Sequence, residues 1–277
     1  MLILHTIKDC KEWRSQEKNT VGFVPTMGAL HQGHLSLIQK SKNQCDATLV
    51  SIYINPAQFS ENEDLSSYPK TLDRDLMHLK KLKTDAVFIP SDNEIYPENK
   101  KKPFKYYNNL FDRIEGASRP HFFYGVTRVV SILFDIINPT HTFFGEKDAQ
   151  QARVIKKMII DLQYSIDFIL CPTKRDKNGL ALSSRNNYLS IEEQLNASII
   201  YKSLTLIIKC ISQGEKKSKT LKKIFISSIK KKPGFTVDYI SIACNNSLNE
   251  LTVWRPNSLI STAVFYKNVR LIDNVIY

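Results

Sequence analysis

The chain has 277 residues, 42% of them hydrophobic and 24% charged, enough to bury a sizeable core, and this excludes disordered and fibrous classes. Nine Gly and eleven Pro with no tripeptide period, and no internal repeat, exclude collagen-like and linker-dominated chains. The net charge is +12 and unevenly placed: residues 1–172 carry 22 basic and 20 acidic side chains, whereas residues 173–277 carry 17 and 7.

From Thr20 the order is an apolar run TVGFVPT, a loop through Met27 to Gly33, an amphipathic stretch from His34 to about Cys45, and a second apolar run TLVSIYIN. This spacing predicts strand, loop, helix, strand, a βαβ unit with ligands at the carboxyl ends of a parallel sheet. Asp85–Pro90 is a further short strand, Gly125–Ile137 a helix, and HTFFGEKD runs from a strand into another loop and helix, in which Val154, Met158, Ile159 and Leu162 share a face. Ser165–Pro172 closes the alternation. Residues 1–172 therefore read as a doubly wound α/β domain. After the polar connector TKRDKNG, where composition and charge change, residues 173–277 read as a smaller α+β domain. In it, Ser190 and Glu193 form a capping box before a helix from Ile191 to about Ser212, ended by Gly214. Strands follow at VDYISIA, LTVW and LISTAVFY.

No membrane partner is expected, because the most apolar segment, Ile199 to Ile211, is interrupted by Lys202 and Lys209. The beginning MLILHTIKDC lacks a cationic start and a long apolar stretch, so a cytoplasmic location is expected. Five cysteines without CxxC spacing argue against a disulfide framework and a zinc cluster. The C-terminal lysine excess suits either a phosphate-rich partner or a solvated cationic face. The runs from Lys216 to Lys232 lack interleaved aromatics that would stack bases, which favours the second reading and no nucleic-acid partner.

The chemistry concentrates in four segments. Between the first strand and its helix, Met27 to His34 holds neither GxGxxG nor a Walker loop but an HxGH pattern. Two imidazoles three residues apart at a helix N-terminus, beside Gly33 and free backbone N–H groups, suit a phosphate whose oxygens gain charge as an anhydride breaks. Where another strand enters a helix, Gly145, Glu146, Lys147, Asp148 and Gln151 offer a cation for phosphate, a carboxylate for a ribose hydroxyl or hydrated Mg²⁺, and an amide for a polar substrate. Leu182, Ser183, Ser184 and Arg185, just past the boundary, supply two hydroxyls and a guanidinium for a triphosphate. Asn55 and Gln58 add neutral amides at the end of the second strand, and Arg119 in EGASRP is a candidate carboxylate fork. With no paired Ser or Cys nucleophile and no metal cage, the set points to attack by a carboxylate on the α-phosphorus of a nucleotide, with loss of pyrophosphate.

In this order, PTMGALHxGH, NPxQF, EGASRP, FGEKDxQQ and LSSRNxYL resemble the pantothenate synthetase (pantoate-β-alanine ligase) family of HxGH nucleotidyltransferases, over about Val21 to Leu189 with an echo at Arg270 to Asn274. The resemblance implies a Rossmann-like N-terminal domain, a C-terminal lid and a homodimer. It implies that ATP, with Mg²⁺, and (R)-pantoate give pantoyl adenylate, and that β-alanine then gives pantothenate and AMP. By motif, Met27, Gly28, Ala29, Leu30, His31, Gln32, Gly33 and His34 would cradle ATP, with His31, His34 and Lys147 catalytic and His34 the proton donor. Gly145, Glu146, Lys147, Asp148, Lys174, Leu182, Ser183, Ser184 and Arg185 would complete the ATP site. Gln58, Gln151, Asn55 and Arg119 would bind pantoate, Gln58 also β-alanine, and Tyr68 would belong to the cover. The chain departs from the pattern at Ala57, where Met is usual, at Ala149, where an aromatic is usual, and at His121, displaced by one position. The two alanines predict a looser pocket wall in an active enzyme.

Overall fold

Six strands make one parallel sheet: β1 (Leu2–Leu4), β2 (Val21–Thr26), β3 (Ala47–Ile52), β4 (Ala86–Phe88), β5 (His141–Gly145) and β6 (Asp167–Cys171). The computed structural model describes residues 1–17, 19–61, 63–97 and 104–277. The strand order is β1-β4-β3-β2-β5-β6, with every pairing parallel. From β2 the chain proceeds to β3 and β4 on one side, and only later to β5 and β6 on the other. The carboxyl ends of β2 and β5 therefore flank a topological switch point, the crevice where open α/β sheets take ligands.

The helices in chain order are α1 (Ile7–Gln16), α2 (Gln32–Gln44), α3 (Leu72–Lys81), α4 (Asp92–Ile95), α5 (Ile114–Ser118), α6 (Phe122–Ile137), α7 (Ala149–Asp161), α8 (Ile191–Ala197), α9 (Ile199–Ser212) and α10 (Ser218–Lys230). Strand residues divide between the sheet faces with period two. Phe23, Leu49, Phe88 and Phe144 pack with Trp13, Phe134 and Met158 of α1, α6 and α7. Their neighbours Val24, Val50, Val87 and Phe143 pack with Leu37, Ile38 and Leu79 of α2 and α3. Coverage on both faces is why these strands read as continuous apolar runs. The doubly wound α/β reading therefore holds.

Beyond Pro172, α9 and α10 pack on an antiparallel sheet of β7 (Phe235–Cys244), β8 (Ser258–Tyr266) and β9 (Val269–Ile276). Ile200, Leu204, Ile207, Leu221, Phe225 and Ile229 meet Ile242, Ile260 and Val264 in a second core. Together α8 and α9 span the single stretch among the described residues with the length and apolar composition to cross a bilayer. The Ile200, Leu204, Ile207 and Ile211 stripe instead fills that core. The other face of the sheet is turned toward the first unit, where Leu259 joins the larger core.

Several boundaries differ from the sequence reading. The Ser190/Glu193 capping box forms, but the helix after it divides at Ser198, whose hydroxyl donates to the Leu195 carbonyl (2.6 Å). LTVW is not a strand; Val253 makes an isolated bridge to Lys217. The strand β9 escapes notice because Arg270, Asp273 and Asn274 break the apolar alternation, yet Asp273 and Asn274 are buried. β1 is a three-residue edge too short to carry a period.

Candidate active site

A cavity of about 830 Å³ opens at the switch point. It is walled by the loops after β2, β3 and β5, by α6, by the 182–188 turn and by the inner face of the C-terminal sheet.

After β2 the backbone turns through two left-handed residues, Gly28 (φ 80°) and Ala29 (φ 50°), before entering α2. Asp75 of α3, 1% exposed, fastens this turn by accepting from the Ala29 and Leu30 N–H groups, both at 2.8 Å. Those two amides are therefore committed. Gly28, Ala29, Leu30 and Gln32 stay out of the cavity wall, while Met27, His31, Gly33 and His34 form it. His31 is the N-cap of α2, its Nδ1 accepting from the Gly33 N–H (3.1 Å), and the His31 N–H donates to His34 Nδ1 (3.4 Å). The rings lie 4.0 Å apart. A Cβ on Gly33 would stand 2.7 Å from His31 Cε1, so glycine is what lets the ring fold over the first turn.

Because each Nδ1 accepts, the neutral tautomer of each ring carries its proton on Nε2. Burial, then the neighbouring His34 and Lys147, pushes the His31 imidazole down to about 2, and burial followed by Lys147 pushes His34 down to about 4. Both are uncharged N–H donors at neutral pH. Fixed positive charge comes instead from Lys147, whose Nζ lies 3.1 Å from Asp148, and from Arg185.

Gly145, Lys147 and Asp148 line the cavity, and among the described residues nothing beyond its chain neighbours lies within 4 Å of where a Gly145 Cβ would be. Glu146 does not line it; its carbonyl and that of Lys147 each accept from Asn274 Nδ2 (2.9 Å). Both glutamines that follow line the cavity, but the Gln150 side chain is taken up by the Leu110 and Arg113 carbonyls and the Glu115 N–H. Lys174, Leu182, Ser183, Ser184 and Arg185 also line it. Ser184 Oγ donates to the Ala29 carbonyl (3.1 Å), tying this turn to the HxGH loop. Arg185 makes a two-pronged pair with Asp64 (2.7 and 3.0 Å). Burial would raise the Asp64 carboxyl, but Arg185 and Tyr188 outweigh it and hold it low. Tyr68 is buried in the wall, edge-on to Phe59.

Two residues expected to touch substrate have other partners. Asn55 is 1% exposed and outside the wall: its amide donates to Gln58 Oε1 (3.0 Å) and the Gly125 carbonyl (3.1 Å), and its oxygen accepts from Tyr96 Oη (2.8 Å). It orients Gln58, which does line the cavity. Arg119 lines the cavity, but its fork holds Glu63 (2.6 Å on both prongs) and a third bond reaches the Gln58 carbonyl (3.2 Å). Ala149 is in the wall, whereas Ala57 and His121 are exposed and outside it, so of the two alanines only Ala149 borders the cavity.

Sequence reasoning missed the Glu115 cluster. Arg270 of β9 donates to both Glu115 oxygens (2.6 and 3.0 Å) and to Asp238 (2.7 Å), while Tyr239 Oη donates to Glu115 (3.0 Å). Asp238 sits at a register shift between Val237 and Tyr239, a bulge that re-aims it. Glu115, Asp238, Tyr239 and Arg270 all line the cavity. Glu115 lies in EGASRP and Arg270 in RLIDN, so both motifs held the signal, but nothing local paired them.

Among the described residues no three His, Cys, Asp or Glu converge as a metal cage. Of the lining carboxylates, Glu63, Asp64, Glu115, Asp238 and Asp273 pair with arginines, and Asp148 pairs with Lys147. That donor set suits an ion carried mainly by substrate phosphates, as Mg²⁺ commonly is, with Asp148 the cavity-lining carboxylate of the Lys147 turn.

Residues 2–276 match the family described as Pantoate-beta-alanine ligase. A pantothenate synthetase of Clostridium botulinum is 44% identical over 278 residues, covering 99% of this chain and 98% of that protein. One of Helicobacter acinonychis is 43% identical, covering 99% of each. The crystal structure of pantothenate synthetase from Thermus thermophilus superposes with a TM-score of 0.94 at 35% identity over 99% of both chains. That of pantoate-beta-alanine ligase from Francisella tularensis, complexed with beta-gamma ATP and beta-alanine, gives 0.81 at 35% identity over 100% of this chain and 97% of the other.

Proposed function

The chain belongs to the pantoate-β-alanine ligase family and condenses pantoate with β-alanine at the expense of ATP, and from that premise we propose that it does so through pantoyl adenylate in the switch-point cavity. A pantoate carboxylate oxygen attacks the α-phosphorus, the bond to the bridging oxygen breaks, and pyrophosphate leaves with the electron pair. No base is needed, since the carboxylate is already anionic at neutral pH. Charge grows on the α-phosphate and bridging oxygens, where the neutral Nε2–H groups of His31 and His34 and the cations Lys147 and Arg185 meet it. Ser183, Ser184, Gly145, Asp148 and Lys174 complete the proposed nucleotide site. Mg²⁺ would arrive on the triphosphate near Asp148 and neutralise phosphate charge.

Gln58 and Gln151 hold pantoate in this reading, with Asn55 and Arg119 positioning Gln58 from behind. Unprotonated β-alanine, also near Gln58, then attacks the acyl carbon, loses a proton and displaces AMP. Its amine is mostly protonated at neutral pH, so turnover rises into the mildly alkaline range. Residues 173–277 serve as the lid over residues 1–172, and Tyr68 belongs to the cover that keeps water from the mixed anhydride.

The single observation behind the reading is the convergence of the HxGH loop, the Lys147 turn, the Ser183 to Arg185 turn, Gln58 and Gln151 on one cavity. The test is AMP release from ATP with pantoate or β-alanine omitted in turn. Strict dependence on both is expected; release without either acceptor overturns the proposal. A homodimer is proposed as well, supported by the open β6 edge with Ile160, Leu162 and Leu170 exposed, and sedimentation velocity checks it. Five unpaired cysteines support a reducing, cytoplasmic setting.

A further inference from the structure

We propose that Asn274, on the last strand of the C-terminal sheet, is a positioning residue that aims Lys147 at the nucleotide. The inference rests on the role given to Lys147 above and adds the device that fixes it.

Lysine is a point charge on a flexible four-carbon stem, so where its ammonium goes depends on how its backbone is held. Lys147 sits on a single helical turn, Glu146–Asp148, that neither Gly145 at its start nor Asp148 at the start of α7 caps with a side chain. The turn is held from outside. Asn274 Nδ2 donates to two consecutive carbonyls, those of Glu146 and Lys147, at 2.9 Å each, so its two protons fix both peptide planes around Lys147. Asn274 is 4% exposed and forms part of the cavity wall, against the same loop that carries the ammonium.

Asn274 is itself immobilised. Its N–H donates to Asp273 Oδ1 (2.7 Å) and its carbonyl accepts from Arg175 Nη2 (3.2 Å). Arg175 and Asp273 are joined by a two-pronged pair (2.6 and 2.8 Å), with Asp273 buried and Arg175 stacked 3.8 Å over Tyr201. This chain of contacts runs from the connector after Pro172 through β9 to the Lys147 turn. Docking of the C-terminal unit and orientation of the phosphate-facing cation are thereby one event.

The test is a double-mutant cycle on pantoate-dependent ATP-pyrophosphate exchange in the full-length protein. Asn274→Asp keeps the shape and Asn274→Ala keeps the charge; both remove the two donors. Each is expected to slow exchange by about 10- to 100-fold, the scale for a small misplacement of a catalytic group. In a Lys147→Ala background either change is expected to add less than about twofold, because its effect runs through the missing lysine. Full additivity overturns the proposal while leaving Lys147 in its role. A near-normal rate for Lys147→Ala alone removes that role, and the inference with it. Should both Asn274 variants melt early, the unaltered protein decides: with ¹⁵N-asparagine, slow solvent exchange of the Asn274 side-chain amide protons supports the clamp and rapid exchange overturns it.

Discussion

Both imidazoles of the HxGH motif are uncharged at neutral pH. His34→Ala should slow pantoyl-adenylate formation by about 10²–10³, the scale for losing one transition-state donor, and a single-turnover assay reads it directly. Depressed histidine pKa values also govern acid stability. The unfolded chain takes up protons near 6.5, the folded one only near 4 at His34 and near 2 at His31. Between these values the unfolded state binds more protons, so stability falls as pH drops from about 6.5 toward 4. Urea melts at pH 7 and 4.5 should show that loss, and His34→Asn should lessen it. That the histidines, Lys147, Gln58, Gln151 and the Ser183 to Arg185 turn line one cavity could be read from sequence because each stands in a short motif at a strand or helix end. The roles of Asn55 and Arg119 could not: what they hold, Tyr96 and Glu63, lies 41 and 56 positions away. A residue's type does not say whether its hydrogen bonds are already taken.

Among the elements, the turn between β2 and α2 depends on a helix distant in sequence. Ala29 occupies a left-handed conformation that a Cβ disfavours, and the Asp75 carboxylate offsets this by accepting two backbone amides. Asp75→Ala strands two buried donors and should lower stability by about 1–3 kcal/mol per unsatisfied group, measured by denaturant titration. Activity should fall further than stability predicts, since His31 begins where this turn ends. The βαβ runs were legible because a sheet buried on both faces demands unbroken apolar strands. The strand β9 was not, because its Asp273 and Asn274 are buried polar groups, the first paired with Arg175 of the connector and the second bonded to the Lys147 turn of the other unit, rather than alternating outward. LTVW shows the converse: strand-forming side chains with almost no partner strand.

At the scale of the molecule, ion pairs lace the two units together around the cavity: Arg185 to Asp64, and Arg270 to Glu115. Glu115 is 6% exposed, so Arg270→Ala leaves a buried carboxylate with only Tyr239 Oη (3.0 Å) and a longer contact to Arg119 (3.5 Å), and should destabilise by up to about 3–5 kcal/mol in thermal or urea melts. Replacing Glu115 and Arg270 together with methionine should recover most of that loss while still impairing turnover.

The closing contacts span the chain: Ser184 reaches back 155 positions to Ala29, and Asn274 reaches back 128 to Glu146. Such loops close late, after nearby helices and neighbouring strands have formed. During refolding, recovery of ligase turnover should therefore trail recovery of far-ultraviolet ellipticity. A protease nick in the 173–179 connector that spared both cores would silence the catalyst while leaving most of its architecture standing.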